Sequence, residues 1–233
     1  MLSNGKIALI YFSRTAETEA DQKKWSVAST RAQRLSISKF LYNKTLKTLQ
    51  KSNLEVLHFD ESCQKGRTFG EKIGNAFKAA FDQGFEAAIT IGNDCIELDV
   101  ASIEKVASKL TQGYNAIGPT FRNGAYLIGL TKSSFDLERF SSLGWQSDQL
   151  ENDLLQYLQD QDHSIYVLNR LRDTNHLGDF SYLAKKTSFA SSLIKQLKNF
   201  LAFVKITVAE YTILLLNYDS RINLSLRAPP FRF

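Results

Sequence analysis

One apolar run ends in a polar loop and carries the clearest fold signal in the chain: Ala87-Ala88-Ile89-Thr90-Ile91-Gly92-Asn93-Asp94-Cys95. Continuous apolar runs of this length are typical of strands that are covered on both faces in an α/β sheet. Further apolar runs occupy 7–12, 54–59, 114–119, 125–130 and 165–168. They alternate with segments of helical spacing at 31–52, 69–81, 102–110 and 149–159. This alternation predicts a three-layer α/β/α sandwich around a mostly parallel sheet.

Composition favours one compact core. The chain has 233 residues, of which 43% are hydrophobic and 23% are charged, a normal globular balance. It contains three prolines and no Pro-rich or Gly/Ser-rich linker. The formal net charge is +5, and the basic residues are scattered rather than clustered. This pattern argues against a dedicated nucleic-acid binder and suits a protein that handles phosphates.

Cysteine usage and hydropathy argue against several other classes. Cys63 and Cys95 are too few for a disulfide framework or a zinc site. The first residues do not form a signal-peptide pattern, and the most apolar late stretch, 200–216, contains Lys205 and Glu210. That stretch is also shorter than the ~20 apolar residues that a membrane span needs. We therefore expect no membrane span and a cytoplasmic location.

Two loops are candidates for a ligand site, because ligands of parallel sheets bind beyond the carboxyl ends of the strands. One follows the first strand and carries Arg14, Lys23 and Lys24, which can meet a phosphate or simply be solvated. The other follows the third strand and carries Asp94. An acid there can hold a divalent cation that bridges diphosphate oxygens, or it can cap the next helix or fix a turn. The residues alone leave both alternatives open at both loops.

An ordered set of blocks connects these segments to a known family. The blocks are Gly66-Arg67-Thr68-Phe69-Gly70-Glu71-Lys72-Ile73-Gly74-Asn75-Ala76-Phe77, Ile89-Thr90-Ile91-Gly92-Asn93-Asp94-Cys95-Ile96-Glu97-Leu98, Gly118-Pro119 with Gly124 and Tyr126-Leu127-Ile128-Gly129-Leu130, Trp145-Gln146-Ser147, and Arg172-Asp173 with Asp179. In this order, over about residues 6–183, the chain resembles the bacterial family of glycosyltransferase-like proteins with the GT-A nucleotide-diphospho-sugar transferase architecture. That family is related to the guanylyltransferases that make molybdopterin and phospholactate dinucleotides.

The resemblance implies a domain plan and an activity. It implies a GT-A-like transferase domain over 1–186, and we expect 187–233 to be a helical extension and tail packed on this domain, available as a homo-oligomer contact. The implied activity is transfer of a sugar from a nucleotide-activated sugar to an acceptor. Two alternatives stay open. One is nucleotidyl transfer from a nucleoside triphosphate, as in the guanylyltransferases, and the other is a catalytically silent member that binds a ligand or partner.

The resemblance also implies site residues. Asp94 occupies the position of the acid that the family uses for the nucleotide sugar and for its metal, Mg²⁺ or Mn²⁺. Gly92 and Asn93 precede it, and Gly124 belongs to the block that follows the fourth strand. Trp145 offers a ring on which a base or sugar can stack, although such aromatic residues are more often part of a core.

Two departures from the family bear on the chemistry. The family's first loop carries a basic motif, and only Arg14, Lys23 and Lys24 can replace its positive charge here. The family's second acid aligns with Arg122, which changes the local charge by about two units. We therefore expect a cation to bind less readily than in a typical member, and Arg122 can contact phosphate directly instead.

Overall fold

The strands of the protein follow the apolar runs of its sequence. The computed structural model describes residues 6–23, 25, 29–159, 164–185, 199 and 202. In chain order the strands are β1 (Ile7–Phe12), β2 (Glu55–Phe59), β3 (Ala87–Ile91), β4 (Asn115–Pro119), β5 (Ala125–Thr131) and β6 (Ile165–Val167). Each of them lies within a predicted run, apart from the last residue of β5.

The helices match the prediction less completely. They are α1 (Ala16–Gln22), α2 (Arg31–Gln50), α3 (Phe69–Asp82), α4 (Val100–Thr111), α5 (Leu137–Ser141), α6 (Leu150–Gln159) and α7 (Leu177–Lys185), and a 3₁₀ turn spans Lys132–Ser134. The predicted helices correspond to α2, α3, α4 and α6. The segments of α1, α5 and α7 were not predicted to be helical. In α1, the buried apolar residues are only Ala16 and Ala20, which is too weak a signal for a periodicity argument.

The sheet has the order β2-β1-β3-β5-β4-β6. Strand β5 runs antiparallel to its neighbours β3 and β4, and the other adjacent pairs are parallel. Residues 120–124 between β4 and β5 are too few for a crossover helix, so these two strands can only be antiparallel neighbours. The prediction of a mostly parallel sheet is confirmed, with one reversed strand.

Both faces of the sheet are covered by helices. Along β1, Ile10 packs on one face with Phe77 of α3, whereas Leu9 packs on the other face with Ile103 of α4. All four side chains are fully buried, and burial of each contributes about 1.5–3 kcal/mol. A strand buried on both faces is apolar at successive positions, which explains the continuous runs in the sequence. The predicted three-layer α/β/α architecture is thereby confirmed.

Side-chain caps fix where two of the helices begin. Helix α3 starts with a reciprocal capping box between Thr68 and Glu71. Helix α4 is capped by Asp99, whose Oδ1 accepts a hydrogen bond from Ser102 N at 2.9 Å. A turn separates Asp94 from this helix, so the interpretation of Asp94 as its cap is wrong. The carboxylate of Asp94 therefore serves another purpose.

The chain divides into two compact units. The first comprises 1–23 and 31–175, and the second comprises 24–30 and 176–233. In the second unit, the aromatic rings of Trp25 and Phe180 lie 6.4 Å apart, and His176 N donates to Asp179 Oδ2 at 2.8 Å. Residues 187–233 lie outside the described residues except for positions 199 and 202. The predicted boundary after 186, the packing of the extension and its role in an oligomer therefore stay predictions.

Within the described part of the chain, every helix is too short or too polar to cross a membrane. The apolar stretch 200–216, for which the sequence predicts no span, lies outside the described residues except for position 202, so that expectation stays a prediction. The cytoplasmic location stays a prediction.

Candidate functional site

A cavity of about 910 Å³ opens in the first unit, at the edge of the sheet where β1 and β3 end and β5 begins. Ligand binding is expected at this edge in folds of this type. The volume is within the range of sites for small molecules and cofactors. The position of the cavity therefore agrees with the strand-end rule that was applied to the sequence.

The cavity brings together the site residues predicted from the sequence, although they come from distant parts of the chain. The predicted residues on its wall are Arg14, Lys23, Gly92, Asn93, Asp94, Arg122, Gly124 and Trp145. Lys24, also predicted, lies outside the described residues. The structure thus gathers these side chains in one place, whereas their roles towards a ligand stay predictions.

Asp94 is paired with Lys23. Lys23 Nζ lies 2.6 Å from Asp94 Oδ1 and 3.4 Å from Glu19 Oε1. Glu19 is buried and also accepts from Arg14 Nη1 at 3.2 Å, so a single carboxylate orients two basic side chains of the cavity. Burial alone would lower the pKa of Lys23, but the carboxylates of Asp94 and Glu19 outweigh it and raise this pKa. Lys23 is therefore a charged ammonium group that is held in position at the carboxyl end of β3.

Helix α1 carries Lys23 at its C-terminal end and is anchored at its N-terminal end by Glu61. The side chain of Glu61 accepts hydrogen bonds from Thr15 N at 2.7 Å and from Thr15 Oγ1 at 2.5 Å, and it also accepts one from the Thr18 hydroxyl. Burial would raise the pKa of Glu61, but these hydrogen bonds dominate and lower it to about 2. The loop after β2 thereby holds the first turn of α1 against the cavity.

Basic residues of α2 hold the flank of α1. Arg31 Nε lies 2.6 Å from Asp21 Oδ1, Arg34 Nε donates to the Ala20 carbonyl at 2.7 Å, and Lys39 pairs with an acid of the first turn of α1 at 3.3 Å. Each exposed ion pair contributes little by itself. Together they explain why a short polar segment with two buried alanines is helical in the folded protein.

Arg122 is paired with Asp173. Its Nη1 donates to Asp173 Oδ1 at 2.8 Å and to the Asp173 carbonyl at 2.9 Å. Thr120 Oγ1 fixes the turn that carries Arg122, because it accepts from Arg122 N at 3.3 Å and from Gly124 N at 3.1 Å. The guanidinium therefore reaches the cavity from the β4–β5 turn in a defined position.

The loop after β3 is tied to the loop that contains Asp173. The main-chain carbonyl of Asp94 accepts from both N and Oγ1 of Thr174, each at 2.8 Å. Beside it, the Nδ2 group of the buried Asn93 has no hydrogen-bond partner within the part of the chain that the structure describes. An unpaired buried amide donor costs about 1–3 kcal/mol, so Asn93 is a natural donor for an acceptor atom of a ligand.

Trp145 forms part of the apolar wall. Its indole Nε1 donates to the Phe140 carbonyl at 2.8 Å, and its ring lies 5.5 Å from that of Phe69. A Cβ atom at Gly70 would lie 2.4 Å from Trp145 Cδ1, so the ring takes this position only because residue 70 is glycine. Since its N–H group is already used, Trp145 offers a ligand only its ring surface.

Some charged residues on the cavity wall escaped the sequence-based selection. They are Glu19, Glu61, Arg67, Lys72 and Asp173. Asp173 lies in the Arg-Asp block that supports the family resemblance, so that block was an available signal. Nothing in the sequence marks Glu19 or Glu61, because both act through contacts formed only after α1 has folded.

The side chains present are a poor fit to a resident divalent cation. Mg²⁺ in phosphate-handling sites often uses only one or two carboxylates, so the number of acids does not decide the matter. Asp94 and Asp173, however, are each already bonded to a basic side chain. A divalent ion on Asp94 Oδ1 would lie within about 5 Å of the Lys23 ammonium, where each pair of like unit charges repels by roughly 3–4 kcal/mol at an effective dielectric of about 20. The described residues contain no cluster of three or more carboxylate, His or Cys side chains that could outweigh this repulsion.

Comparison with known structures agrees with the fold. A crystal structure from Desulfovibrio desulfuricans G20, named "putative nucleotide-diphospho-sugar transferase", has a TM-score of 0.74 at 18% identity and covers 87% of this chain and 98% of its own. The 4-diphosphocytidyl-2C-methyl-D-erythritol synthase of Anaerococcus prevotii DSM 20548 has a TM-score of 0.47 at 10% identity, covering 86% and 99%. Rv0371c of Mycobacterium tuberculosis H37Rv in complex with manganese has a TM-score of 0.46 at 8% identity, covering 76% and 97%. Of these three, only the first is similar enough to support an inference, and at this identity the inference concerns the fold.

Sequence comparison identifies the family. None of the curated proteins matches the chain. The model of the family DUF2064, described as "Uncharacterized protein conserved in bacteria", matches residues 26–147, which is more than half of the 233 residues. The resemblance inferred from the ordered blocks is thereby confirmed: this chain belongs to the bacterial family DUF2064 and has the fold of the nucleotide-diphospho-sugar transferases.

Proposed function

We propose that the protein binds a nucleotide-activated sugar in this cavity and transfers the sugar to an acceptor. The observation that carries the proposal is the set of positioned cations at the carboxyl edge of the sheet. Arg14 and Lys23 are held by Glu19, and Arg122 is held by Asp173. Guanidinium and ammonium groups held in place in this way recognise phosphate oxygens.

Neighbouring groups suit the remaining parts of such a ligand. Gly92 and Gly124 carry no side chain, so a ligand can approach the backbone at the ends of β3 and β4. Asn93 supplies a donor that has no partner among the described residues. Trp145 provides a ring surface on which a base or sugar can stack. In this account Asp94 acts by positioning Lys23.

Product analysis tests the proposed reaction. The full chain is incubated with a panel of nucleoside diphosphate sugars and, separately, with the four nucleoside triphosphates, in each case with candidate sugar and phosphate acceptors. Mass spectrometry should detect a nucleoside diphosphate and a glycosylated acceptor from one of the sugars. Release of pyrophosphate from a triphosphate would instead assign nucleotidyl transfer. Lys78→Gln serves as a matched control, because the ion pair of Lys78 with Asp82 is exposed and lies outside the cavity.

A second candidate function is binding without catalysis. It is favoured by one observation: the carboxylates of Asp94 and Asp173 are each engaged by a basic side chain, which makes them poor general bases. A silent member would bind a nucleotide yet form no product from any donor. Detection of either transfer product, lost in a variant of Arg122 but not in Lys78→Gln, would exclude this alternative.

A further inference from the structure

We propose that the cavity binds the diphosphate of its nucleotide without a divalent cation, and that the Lys23 ammonium and the Arg122 guanidinium take the place of the metal. The inference rests on the proposed function, since it concerns the same ligand in the same cavity. In this fold, an acid at the end of the third strand is expected to hold a metal ion. Here that acid is Asp94, and its partner is a lysine.

The Lys23 ammonium occupies the place of a cation on Asp94. It lies 2.6 Å from Asp94 Oδ1, and the Lys23 side chain is only 17% exposed. Its backbone is fixed as well, because Lys23 N donates to the Glu19 carbonyl at 2.8 Å and ends α1. Because both the backbone and the side chain of Lys23 are held in place, the ammonium group does not need to move when an anion binds.

Arg122 supplies a second cation at the neighbouring acid. Asp173 is 13% exposed and accepts from Arg122 Nη1 at 2.8 Å. The bonds from Thr174 to the Asp94 carbonyl keep this acid beside the loop that carries Asp94. The two acids that lie together at the cavity are thus each matched by a basic side chain from a different element.

The charges of the cavity wall favour an anion over a further cation. The wall carries five basic side chains (Arg14, Lys23, Arg67, Lys72 and Arg122) and four acidic ones (Glu19, Glu61, Asp94 and Asp173). Three of the acids already contact three of the basic groups. A diphosphate entering this wall meets an excess of positive charge without any metal, whereas a metal would meet basic groups on both acids.

The decisive experiment uses the full wild-type chain. Binding of ADP, GDP, CDP and UDP is measured by isothermal titration calorimetry, once in the presence of EDTA and once with excess Mg²⁺ or Mn²⁺. We expect the tightest of the four to bind with dissociation constants that agree within about threefold in the three conditions. Binding that is tighter by about tenfold or more with a metal would overturn the inference and leave the proposed function standing. Absence of binding in all three conditions would contradict the proposed function itself.

Paired lysine variants provide an independent readout. Lys23→Met should weaken metal-free binding by roughly 10- to 100-fold, the range for loss of one charge-assisted hydrogen bond. It should also make binding more responsive to Mg²⁺, because Asp94 is then free to act as a ligand. Lys78→Met, which removes a solvent-exposed lysine paired with Asp82, is the matched control and should bind as wild type does. Unchanged metal-free affinity in a folded Lys23→Met protein would overturn the inference.

Discussion

Lys23 Nζ lies 2.6 Å from Asp94 Oδ1, so the acid at the end of β3 is neutralised by a lysine of the same chain. The contact joins α1 to the loop after the third strand and closes one side of the cavity. In a site built for a metal, this acid would be left open to the ion. Here the lysine gives the edge of the sheet a built-in positive charge, which suits an anionic ligand.

Replacement of Arg122 should weaken nucleotide binding. In Arg122→Gln the cavity loses a positioned guanidinium, and the carboxylate of Asp173 is left to repel the phosphates. We expect the dissociation constant of the best nucleoside diphosphate to rise by about 10- to 100-fold, measured by calorimetry. Lys78→Gln removes an equivalent charge from an exposed pair within α3 and should leave affinity unchanged. Equal affinities of both variants would show that Arg122 does not contact the ligand.

Glu61 should make stability depend on pH in the acid range. Its pKa is lowered from 4.5 to about 2 in the folded protein, because the hydrogen bonds from Thr15 and Thr18 outweigh burial. The stability that it contributes is therefore present above pH 4.5 and is lost as the pH falls towards 2. For an exposed group, screening by solvent reduces this contribution to about 0.5–1 kcal/mol.

Urea denaturation of Glu61→Gln and of wild type, from neutral pH down to about pH 2, measures the contribution of Glu61 to the free energy of unfolding. The variant should be the less stable protein near neutral pH, and the difference should vanish at the acid end. Glu104→Gln, on the exposed side of α4, is the matched control. A difference of constant size at every pH would indicate lost packing rather than a lost carboxylate.

Lys44 should also make stability rise with pH, but in the alkaline range and because its buried charge is unfavourable. Burial lowers its pKa from 10.5 to about 8, and its ammonium donates to the Leu98 carbonyl at 2.7 Å. Between these pH values the folded protein binds fewer protons than the unfolded chain, so the stability of wild type rises with pH. At neutral pH the buried charge costs roughly 1–3 kcal/mol.

Lys44→Met removes this cost. The variant should be more stable than wild type at pH 7, and its advantage should shrink as the pH rises through the interval from 8 to 10.5. Thermal or denaturant unfolding at several pH values gives the difference curve, from which the other titrating groups cancel. An advantage that grows with pH would contradict the assignment of a lowered pKa to Lys44.

Gly70 in α3 and Gly92 on the cavity wall should differ in how much a substitution to alanine destabilises the protein. A Cβ atom at Gly70 would lie 2.1 Å from the Ser141 carbonyl oxygen and 2.4 Å from Trp145 Cδ1, whereas no atom of the described residues lies within 4 Å of a Cβ atom at Gly92. Gly70→Ala should therefore destabilise the protein by about 1–3 kcal/mol and quench or shift the Trp145 fluorescence. Gly92→Ala should leave stability within about 1 kcal/mol of wild type. Equal stability of the two variants would argue against the tight contact at Gly70.

The sheet and the position of the cavity were predictable because they depend on strong local signals. The runs at 7–12 and 87–92 are apolar at successive positions, and only a sheet covered on both faces buries such runs. Once the strand ends are known, the loops that carry Arg14 and Asp94 must meet at one edge. Gly124 and Trp145 were selected instead through the family resemblance, in whose later blocks they lie.

The pairing of the charges was not predictable from the sequence. Whether Asp94 meets Lys23 or Arg122 depends on α1, whose sequence Ala-Glu-Thr-Glu-Ala-Asp-Gln gives almost no apolar signal. That helix forms because Glu61 and residues of α2 hold it, and these contacts cross long stretches of chain. Likewise, Arg122 is directed to Asp173 by the Thr120 turn and by Thr174, which no local pattern shows.

The most direct test of the central claim is the melting temperature of the full chain with and without saturating nucleoside diphosphates and nucleoside diphosphate sugars. A ligand at about 100 times its dissociation constant stabilises the folded state by about 2.7 kcal/mol. For a chain of this size, at least one nucleotide should raise the melting temperature by roughly 5–10 °C, and Arg122→Gln should largely abolish this rise. If no nucleotide raises the melting temperature of the wild-type protein, the cavity is not a nucleotide site and the account is contradicted.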